Sequence, residues 1–342
     1  MIPEAKNAAV ERALRETFGV SKFEDIRRLN TEKLTSAHVF RIVVRGCPYV
    51  LRVITRTDAN TDPTRQFRCM KIAAEAGLAP RVLYTSIEDR VSLTDFLEAR
   101  PLPAAEATVR LAVTLQALHA LSPFPRLLND YDTAPSFLLR PSRLRDSFIQ
   151  RFQAAKILPE IESEQLFQLY ARVAGVYRIH DSDMVSSHND LKPENILFDG
   201  ERLWLLDWEA AFLNDRYSDL AVMANFVVTN DAEEEVYLQT YFGEAAGEYR
   251  LARFYLLRQV VHMFYAMGFM LLGSAGKPIE LNETAPAFRD FHSRIWTGDV
   301  SLAGDEAKVQ YGKVHMNQLF QNMRAVRFQD ALRIVSDRHA KA

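Results

Sequence analysis

The chain has 342 residues, of which 48% are apolar and 25% are charged, and its formal net charge is −2. These values are ordinary for a folded globular protein, and the length predicts about two domains or lobes. Because the charge is nearly balanced, there is no electrostatic reason to expect nucleic acid or an acidic membrane as a partner.

Cysteine usage and the apolar stretches narrow the class of protein further. Cys47 and Cys69 are the only cysteines, and they lack the paired spacing of a structural zinc site. A reduced, cytoplasmic location is therefore expected. The start of the chain has no basic segment followed by an apolar run, as a signal peptide would have. The most apolar stretch, residues 263–272, is far shorter than the ~18 residues of a membrane-spanning helix, so we expect no membrane association.

The N-terminal part of the chain predicts a small antiparallel sheet accompanied by two helices. Apolar periodicity and β-branched runs indicate helices over residues 5–18 and 64–76 and strands over 25–30, 39–44, 49–54, 82–87 and 91–97. Gly19 and Gly77 stop the two helices. The turn chemistry of residues 45–48, Arg-Gly-Cys-Pro, joins two of these strands in a hairpin.

The pattern becomes mainly helical after residue 104. Helices are predicted over residues 105–121, 144–155, 162–179 and 251–272, and the tail from residue 285 is mostly helical with a loop over 297–304. Between the third and fourth of these helices lies a stretch of different character, residues 186–209, which is rich in turn residues and short apolar runs.

Three polar side chains stand out in residues 186–209. Asp190 and Asn195 lie in a turn-rich segment, an apolar run follows, and Asp199-Gly200 predicts a two-residue hairpin turn. The returning apolar run ends at Asp207. Because the ends of two antiparallel strands lie side by side, we expect Asn195 and Asp207 to converge, with Asp190 close to them.

That geometry suits phosphoryl transfer. Mg²⁺ prefers hard oxygen ligands and usually takes one or two carboxylates plus substrate phosphates, so Asn195 and Asp207 are the predicted metal ligands. A separate carboxylate must accept the proton of the attacking hydroxyl, and we assign this role to Asp190. The order His188-x-Asp190-x-x-x-x-Asn195 matches the spacing of a kinase catalytic loop, in which we expect His188 to support the loop.

The segment resembles the catalytic loop of the aminoglycoside phosphotransferase and choline/ethanolamine kinase superfamily, small-molecule kinases with a protein-kinase-like fold. Asp207-Trp208-Glu209 is typical of that branch, where protein kinases carry Asp-Phe-Gly. Residues 217–221, Tyr-Ser-Asp-Leu-Ala, are similar to the sequence that opens the next helix in that branch, and Asp219 is expected to cap this helix and tie it to the loop. No Ala-Pro-Glu sequence follows, which indicates that there is no activation loop for a protein substrate.

The resemblance implies an α+β fold of two lobes, with ATP and Mg²⁺ as cofactors. Residues 1–97 would form a nucleotide-binding lobe with a small antiparallel sheet, and residues 98–342 a mainly helical lobe that binds the acceptor. Arg52 would hold ATP phosphates, because a guanidinium binds phosphate oxygens as a fork. Thr35 and Ser36 would offer hydroxyls to the phosphates, and the adenine would meet the hinge formed by residues 95–97, Asp95, Phe96 and Leu97.

The chain departs from the family pattern at two places. The predicted phosphate loop, residues 30–38, contains no glycine, although glycine lets backbone N–H groups approach phosphate closely. The helix after Arg52 normally supplies a glutamate to orient that cation, but Gln66 stands at or near the expected position. These departures support a rival hypothesis, a pseudokinase that binds nucleotide without turnover, whereas the intact Asp190, Asn195 and Asp207 support an enzyme.

The acceptor is expected to be a small molecule with a hydroxyl group. Choline or ethanolamine, an aminoglycoside and a sugar-like metabolite all remain open. Lys192 either contacts the transferred phosphoryl group or is a solvated turn residue. Glu209 is a candidate contact to metal or substrate, with a structural role as the alternative. Tyr265 is a candidate acceptor contact in an aromatic helix that is otherwise expected to be core.

Overall fold

The structure is a computed structural model that describes residues 2–29, 37–56, 62–126, 138–139, 143–281 and 285–340. An antiparallel sheet dominates the N-terminal part, and helices dominate the remainder. The predicted α+β class and the two-lobed, kinase-like arrangement are therefore confirmed.

The N-terminal lobe is a five-stranded antiparallel sheet in the order β1-β2-β3-β5-β4. Its elements are α1 (Asn7–Phe18), β1 (Asp25–Arg28), β2 (Ala37–Val44), β3 (Cys47–Ile54), α2 (Thr64–Glu75), β4 (Val82–Ser86) and β5 (Val91–Asp95). The apolar side of α1, which includes Val10 and Leu14, packs in one core cluster with inward residues of the sheet such as Phe40 and Leu51. Burial of these faces gives the sheet its fixed register.

The hairpin between β2 and β3 has a tighter turn than the sequence predicted. Val44 pairs with Cys47 and Val43 with Pro48, so only Arg45 and Gly46 form the turn. Both turn residues have positive φ, 52° and 73°, which is the backbone of a type I′ turn and matches the twist of the strands. The prediction of a four-residue turn over residues 45–48 was wrong in this detail.

The C-terminal lobe surrounds a long buried helix, α8. Its elements are α3 (Ala104–His119), α4 (Arg143–Ala155), α5 (Glu160–Val176), β6 (Met184–Ser187), β7 (Ile196–Phe198), β8 (Leu203–Leu205), β9 (Phe212–Asp215), α6 (Arg216–Val227), α7 (Asp231–Phe242), α8 (Glu248–Gly273), α9 (Phe288–Trp296), α10 (Asp305–Arg324) and α11 (Val326–Ala340). Helix α8 alone among the described helices is long and apolar enough to cross a membrane by length and composition, but 61% of its apolar window is buried inside the protein, as in the core helix of a folded domain.

The segment that carries the candidate site is built from two small antiparallel pairs, β6 with β9 and β7 with β8. The β7–β8 turn has four residues, 199–202, because Phe198 pairs with Leu203, so the predicted two-residue turn was wrong. The Asp199 carboxylate accepts the N–H groups of Glu201 and Arg202 at 2.8 and 2.9 Å and thereby builds the longer turn.

Candidate active site

The candidate catalytic loop begins where β6 ends. Asn189 adopts a left-handed backbone with φ of 66°, an uncommon conformation for a residue with a side chain. Its side chain fixes this turn, since Nδ2 donates to the carbonyl of Ala210 at 3.1 Å and Oδ1 accepts from Asn214 at 2.7 Å. Asp190 is thus presented from a turn that is held by hydrogen bonds on both sides.

Asp219 anchors the same loop from helix α6. Its carboxylate accepts the backbone N–H groups of His188 at 2.8 Å and Asn189 at 2.9 Å, as well as Nε2–H of His119 at 3.2 Å. Burial raises the pKa of Asp219, but the His119 hydrogen bond and the nearby histidines outweigh it and hold the pKa below its usual value. Asp219 was expected to cap α6 as well. That expectation was wrong, because the cap is Asp215, which accepts the N–H of Tyr217.

Asp190, Lys192 and Asn195 form one hydrogen-bonded cluster. Asp190 Oδ2 accepts from Lys192 Nζ at 2.9 Å and from Asn195 Nδ2 at 3.0 Å. Burial lowers the pKa of Lys192, but Asp190, with smaller contributions from Asp207 and Glu194, raises it above its usual value, so the ammonium stays protonated. The other carboxylate oxygen, Oδ1 of Asp190, accepts no hydrogen bond from the described residues.

Asp207 lies two residues after the end of β8, and its neighbour Leu206 pairs with the backbone of Asn195. The N–H of Leu206 donates to the carbonyl of Asn195 at 2.8 Å, and Nε2–H of His188 donates to the carbonyl of Leu206 at 2.8 Å. His188 is fully buried, and its imidazole holds the backbone at Leu206. Asp207 itself has φ of 63°, and strained backbone of this kind clusters at functional sites.

Arg52 of β3 reaches across to the segment after β8. Its NH1 donates to Asp207 Oδ1 at 2.8 Å, and its NH2 donates to Glu209 Oε2 at 3.1 Å. Burial raises the pKa of Asp207, but Arg52, Lys192 and, to a smaller extent, His188 outweigh it, so the pKa lies below its usual value. Two carboxylates, Asp190 and Asp207, and two cations, Arg52 and Lys192, thus face one another where the lobes meet.

The other residues that were predicted to bind the nucleotide lie at the edge of the sheet or outside the described residues. Asp95 is the last residue of β5, and its carboxylate accepts from Arg81 Nε at 3.0 Å. The guanidinium of Arg41 lies 5.3 Å from the centre of the Phe96 ring. Phe96 and Leu97 follow the strand, which ends two residues earlier than predicted. Thr35 and Ser36 lie outside the described residues.

Tyr265 is half-buried on α8 and belongs to an aromatic cluster with Phe264, Phe269 and Tyr311. Burial raises the pKa of Tyr265, and the carboxylates of Asp190, Asp219 and Glu194 raise it further. The aromatic cluster packs against the buried core of the helical lobe.

Comparison with known proteins agrees with this geometry. The model of the phosphotransferase enzyme family matches residues 28–255, which is more than half of the chain and includes every site residue named above except those of the aromatic cluster around Tyr265. The chain belongs to the phosphotransferase enzyme family. The resemblance predicted from the sequence is thereby confirmed, and the family supports the prediction of an enzyme.

Individual relatives of this phosphotransferase-family chain agree in fold. A choline/ethanolamine kinase family protein from Mesorhizobium loti superposes with a TM-score of 0.65 at 17% identity, covering 97% of this chain and 99% of that one. A choline kinase from Cryptosporidium parvum superposes with a TM-score of 0.62 at 11% identity, covering 96% and 98%. The protein LicA of Haemophilus influenzae is 33% identical over 79 residues, which are 22% of this chain and 29% of LicA. The matched segment thus spans less than a third of that relative.

Sequence reasoning missed the residues that fix the site from outside the catalytic loop. Arg65 of α2 donates to the carbonyl of Glu209 at 2.8 Å, and Asn189 braces the Asp190 turn. The asparagine before Asp190 was a detectable signal, because asparagine tolerates left-handed backbone. Arg65 had no such signal, because its acceptor lies 144 residues away in sequence.

Three buried histidines lie behind Tyr265, on α8, α9 and α10. His262 and His315 share a hydrogen bond between their Nδ1 atoms at 3.0 Å, and Nε2 of His292 meets the Tyr311 hydroxyl at 3.0 Å. Burial lowers the pKa of all three, to about 3 for His315, and Arg258 and Arg289 lower the pKa of His262 and His292 further. The folded protein therefore keeps these imidazoles neutral in mild acid.

We expect acid to destabilise this phosphotransferase below about pH 6.5, the usual histidine pKa. A histidine whose pKa is lowered by folding binds its proton in the unfolded chain first, so each contributes a loss of about 1 kcal/mol per pH unit as the pH falls from 6.5 to 5. Urea unfolding at pH 7.5, 6.5 and 5.5 measures the slope. His315→Gln should reduce it, and an unchanged slope in that variant would place the proton uptake elsewhere.

Proposed function

We propose that this protein transfers the γ-phosphoryl group of MgATP to a hydroxyl of a small molecule. The observation that carries the proposal is the hydrogen-bonded cluster of Asp190, Lys192 and Asn195. Leu206, whose backbone pairs with Asn195, precedes Asp207, and Asp207 is bound by Arg52. Phosphoryl transfer depends on positioning and on charge stabilisation, which this set of groups supplies.

The donor atoms fit Mg²⁺. Asn195 uses its amide nitrogen on Asp190, so its Oδ1 and the Asp207 carboxylate are the hard oxygen atoms that this metal prefers. No group of three or more His, Cys, Asp or Glu side chains in the described parts of the chain could hold a metal ion, which suits an ion held in part by substrate phosphates. When bound, Mg²⁺ would neutralise charge on the phosphates, and Asn195 and Asp207 would hold it.

Side chains of the protein supply the other functions that phosphoryl transfer needs. Oδ1 of Asp190 is available to accept the proton of the acceptor hydroxyl, while Oδ2 is held by Lys192 and Asn195. Lys192 is bonded to Asp190 at 2.9 Å, and we assign its ammonium to the transferred phosphoryl group. His188 and Asn189 hold the loop. The guanidinium of Arg52 is held by Asp207 and Glu209 through NH1 and NH2, so it would act on the phosphates of the nucleotide by its positive charge.

An amino alcohol of the choline or ethanolamine type is the acceptor that we favour. Aromatic ring faces bind quaternary and primary ammonium groups, and Tyr265 lies among other rings of the helical lobe. Two solved proteins that superpose over nearly the whole chain are a choline/ethanolamine kinase family protein and a choline kinase. Aminoglycosides and sugar-like metabolites are the other acceptors to test.

A panel of acceptor alcohols, followed by coupled release of ADP in the presence of Mg²⁺, tests the proposal. We expect turnover with at least one amino alcohol and slow hydrolysis of ATP without acceptor. A thermal shift with MgATP and no ADP release with any acceptor would favour the rival function, a nucleotide-binding pseudokinase. Absence of nucleotide binding would contradict both functions.

A further inference from the structure

The guanidinium of Arg52 is held by two carboxylates at once. Its NH1 bonds to Asp207 at 2.8 Å and its NH2 to Glu209 at 3.1 Å, with the arginine side chain only 14% exposed. Within the described residues, these are the only carboxylates that hydrogen-bond Arg52. Two charge-assisted bonds from one planar guanidinium fix its direction as well as its position.

Helix α2 contributes no acid to this contact. In the first turns of α2 the buried polar side chain is that of Gln66. The acid of this helix, Glu75, is exposed and lies at the C-terminal end of the helix. The carboxylate that orients the strand cation in kinase-like folds is therefore missing from its expected element, and Arg52 has its partners in the segment after β8 instead.

Helix α2 supplies a cation, not an acid, to the segment after β8. Arg65 of α2 donates NH2 to the backbone carbonyl of Glu209 at 2.8 Å, and its guanidinium lies 5.7 Å from the centre of the Phe212 ring. The thiol of Cys69, also on α2, faces the carbonyl of Ala211 at 3.7 Å. Helix α2 thus fixes the backbone on which Glu209 stands, and the Glu209 side chain points to Arg52.

We infer that Glu209 is the positioning residue for Arg52 and replaces the acid that α2 lacks. This inference rests on the proposed function. Asp207 gives Oδ1 to Arg52, so its second oxygen, Oδ2, is the one that would meet the metal, and the position of the guanidinium sets the direction of that oxygen. By holding the other nitrogen of the guanidinium, Glu209 fixes Arg52 and, through it, the direction of the Asp207 carboxylate, so it acts on the metal without contacting it.

A double-mutant cycle on the binding of ADP tests this role without turnover. The Mg²⁺ concentration that half-saturates ADP binding is measured by calorimetry for the native protein, Glu209→Gln, Arg52→Gln and the double variant. We expect Glu209→Gln to raise this concentration about tenfold, which corresponds to the loss of one charge-assisted bond, and to have no effect when Arg52 is already glutamine. Glu75→Gln, which changes the exposed acid of α2, is the matched control and should leave the value unchanged.

Each other outcome overturns the inference. An equal rise in both Arg52 backgrounds would make Glu209 a direct metal contact. An unchanged Mg²⁺ requirement, combined with a higher KM for the acceptor, would place Glu209 on the substrate, and no change in any value would make it a surface acid. Failure of the native protein to bind ADP would instead contradict the proposed function, so the two failures are distinguishable.

Discussion

An Asp190→Asn variant is expected to bind nucleotide with nearly native affinity and to lose most of its turnover. A positioned general base contributes roughly 10²–10⁴-fold to a rate, or about 3–5 kcal/mol of barrier. An amide cannot accept the proton of the acceptor hydroxyl, whereas the phosphate contacts that we propose for Arg52 would be made from the other lobe. Steady-state ADP release and calorimetric titration with ADP separate the two quantities.

The control for this variant is Glu201→Gln, which makes the same chemical change at an exposed residue of the β7–β8 turn. It should leave both turnover and nucleotide affinity unchanged. Retention of activity by Asp190→Asn would reject Asp190 as the base. Loss of ADP affinity as large as the loss of turnover would also count against the assignment, because it would show that the carboxylate acts on binding rather than on the acceptor.

The features that the sequence predicted well are those encoded over short distances. Apolar periodicity predicted the strands of the N-terminal sheet, and the loop spacing predicted that Asp190 and Asn195, which share a hydrogen bond, lie close together. The β6–β9 pair was missed, because Ser186 and Ser187 interrupt the apolar pattern of β6 and Asn214 and Asp215 that of β9. Those four residues are buried although they are polar, because hydrogen bonds satisfy their polar groups. Ser186, for example, accepts the N–H of Phe124.

The contacts between the lobes could not be predicted from the sequence. Arg52 meets Asp207 and Glu209 across 155 and 157 residues of chain, and no local pattern specifies such a partner. The family pattern directed attention to α2, where Gln66 suggested that Arg52 lacks an orienting acid. In the structure Arg52 bonds to Asp207 and Glu209 instead. If Glu209 orients Arg52, as we infer, the second of the two departures that favoured a pseudokinase loses its force.

Replacement of Asp219 by asparagine is expected to cost about 3 kcal/mol of unfolding free energy and to reduce turnover as well. The native carboxylate is 1% exposed and accepts hydrogen bonds from two backbone N–H groups and from His119. An amide offers one oxygen to these three donors and turns its own N–H₂ toward the others. Removing one partner of a buried charged network typically costs about 3–5 kcal/mol of unfolding free energy. Asparagine keeps one acceptor oxygen, so we expect a loss at the lower end of this range.

The loss of turnover follows from the same contacts, because the N–H groups of His188 and Asn189 that Asp219 holds immediately precede Asp190. Urea unfolding measures the free energy and ADP release measures the rate. Glu235→Gln, the same kind of change at an exposed acid of α7, should alter stability by less than about 0.5 kcal/mol. If Asp219→Asn were as stable as that control, the carboxylate would not be the anchor of the loop. If it were destabilised but fully active, the anchor would serve the fold and not the orientation of Asp190.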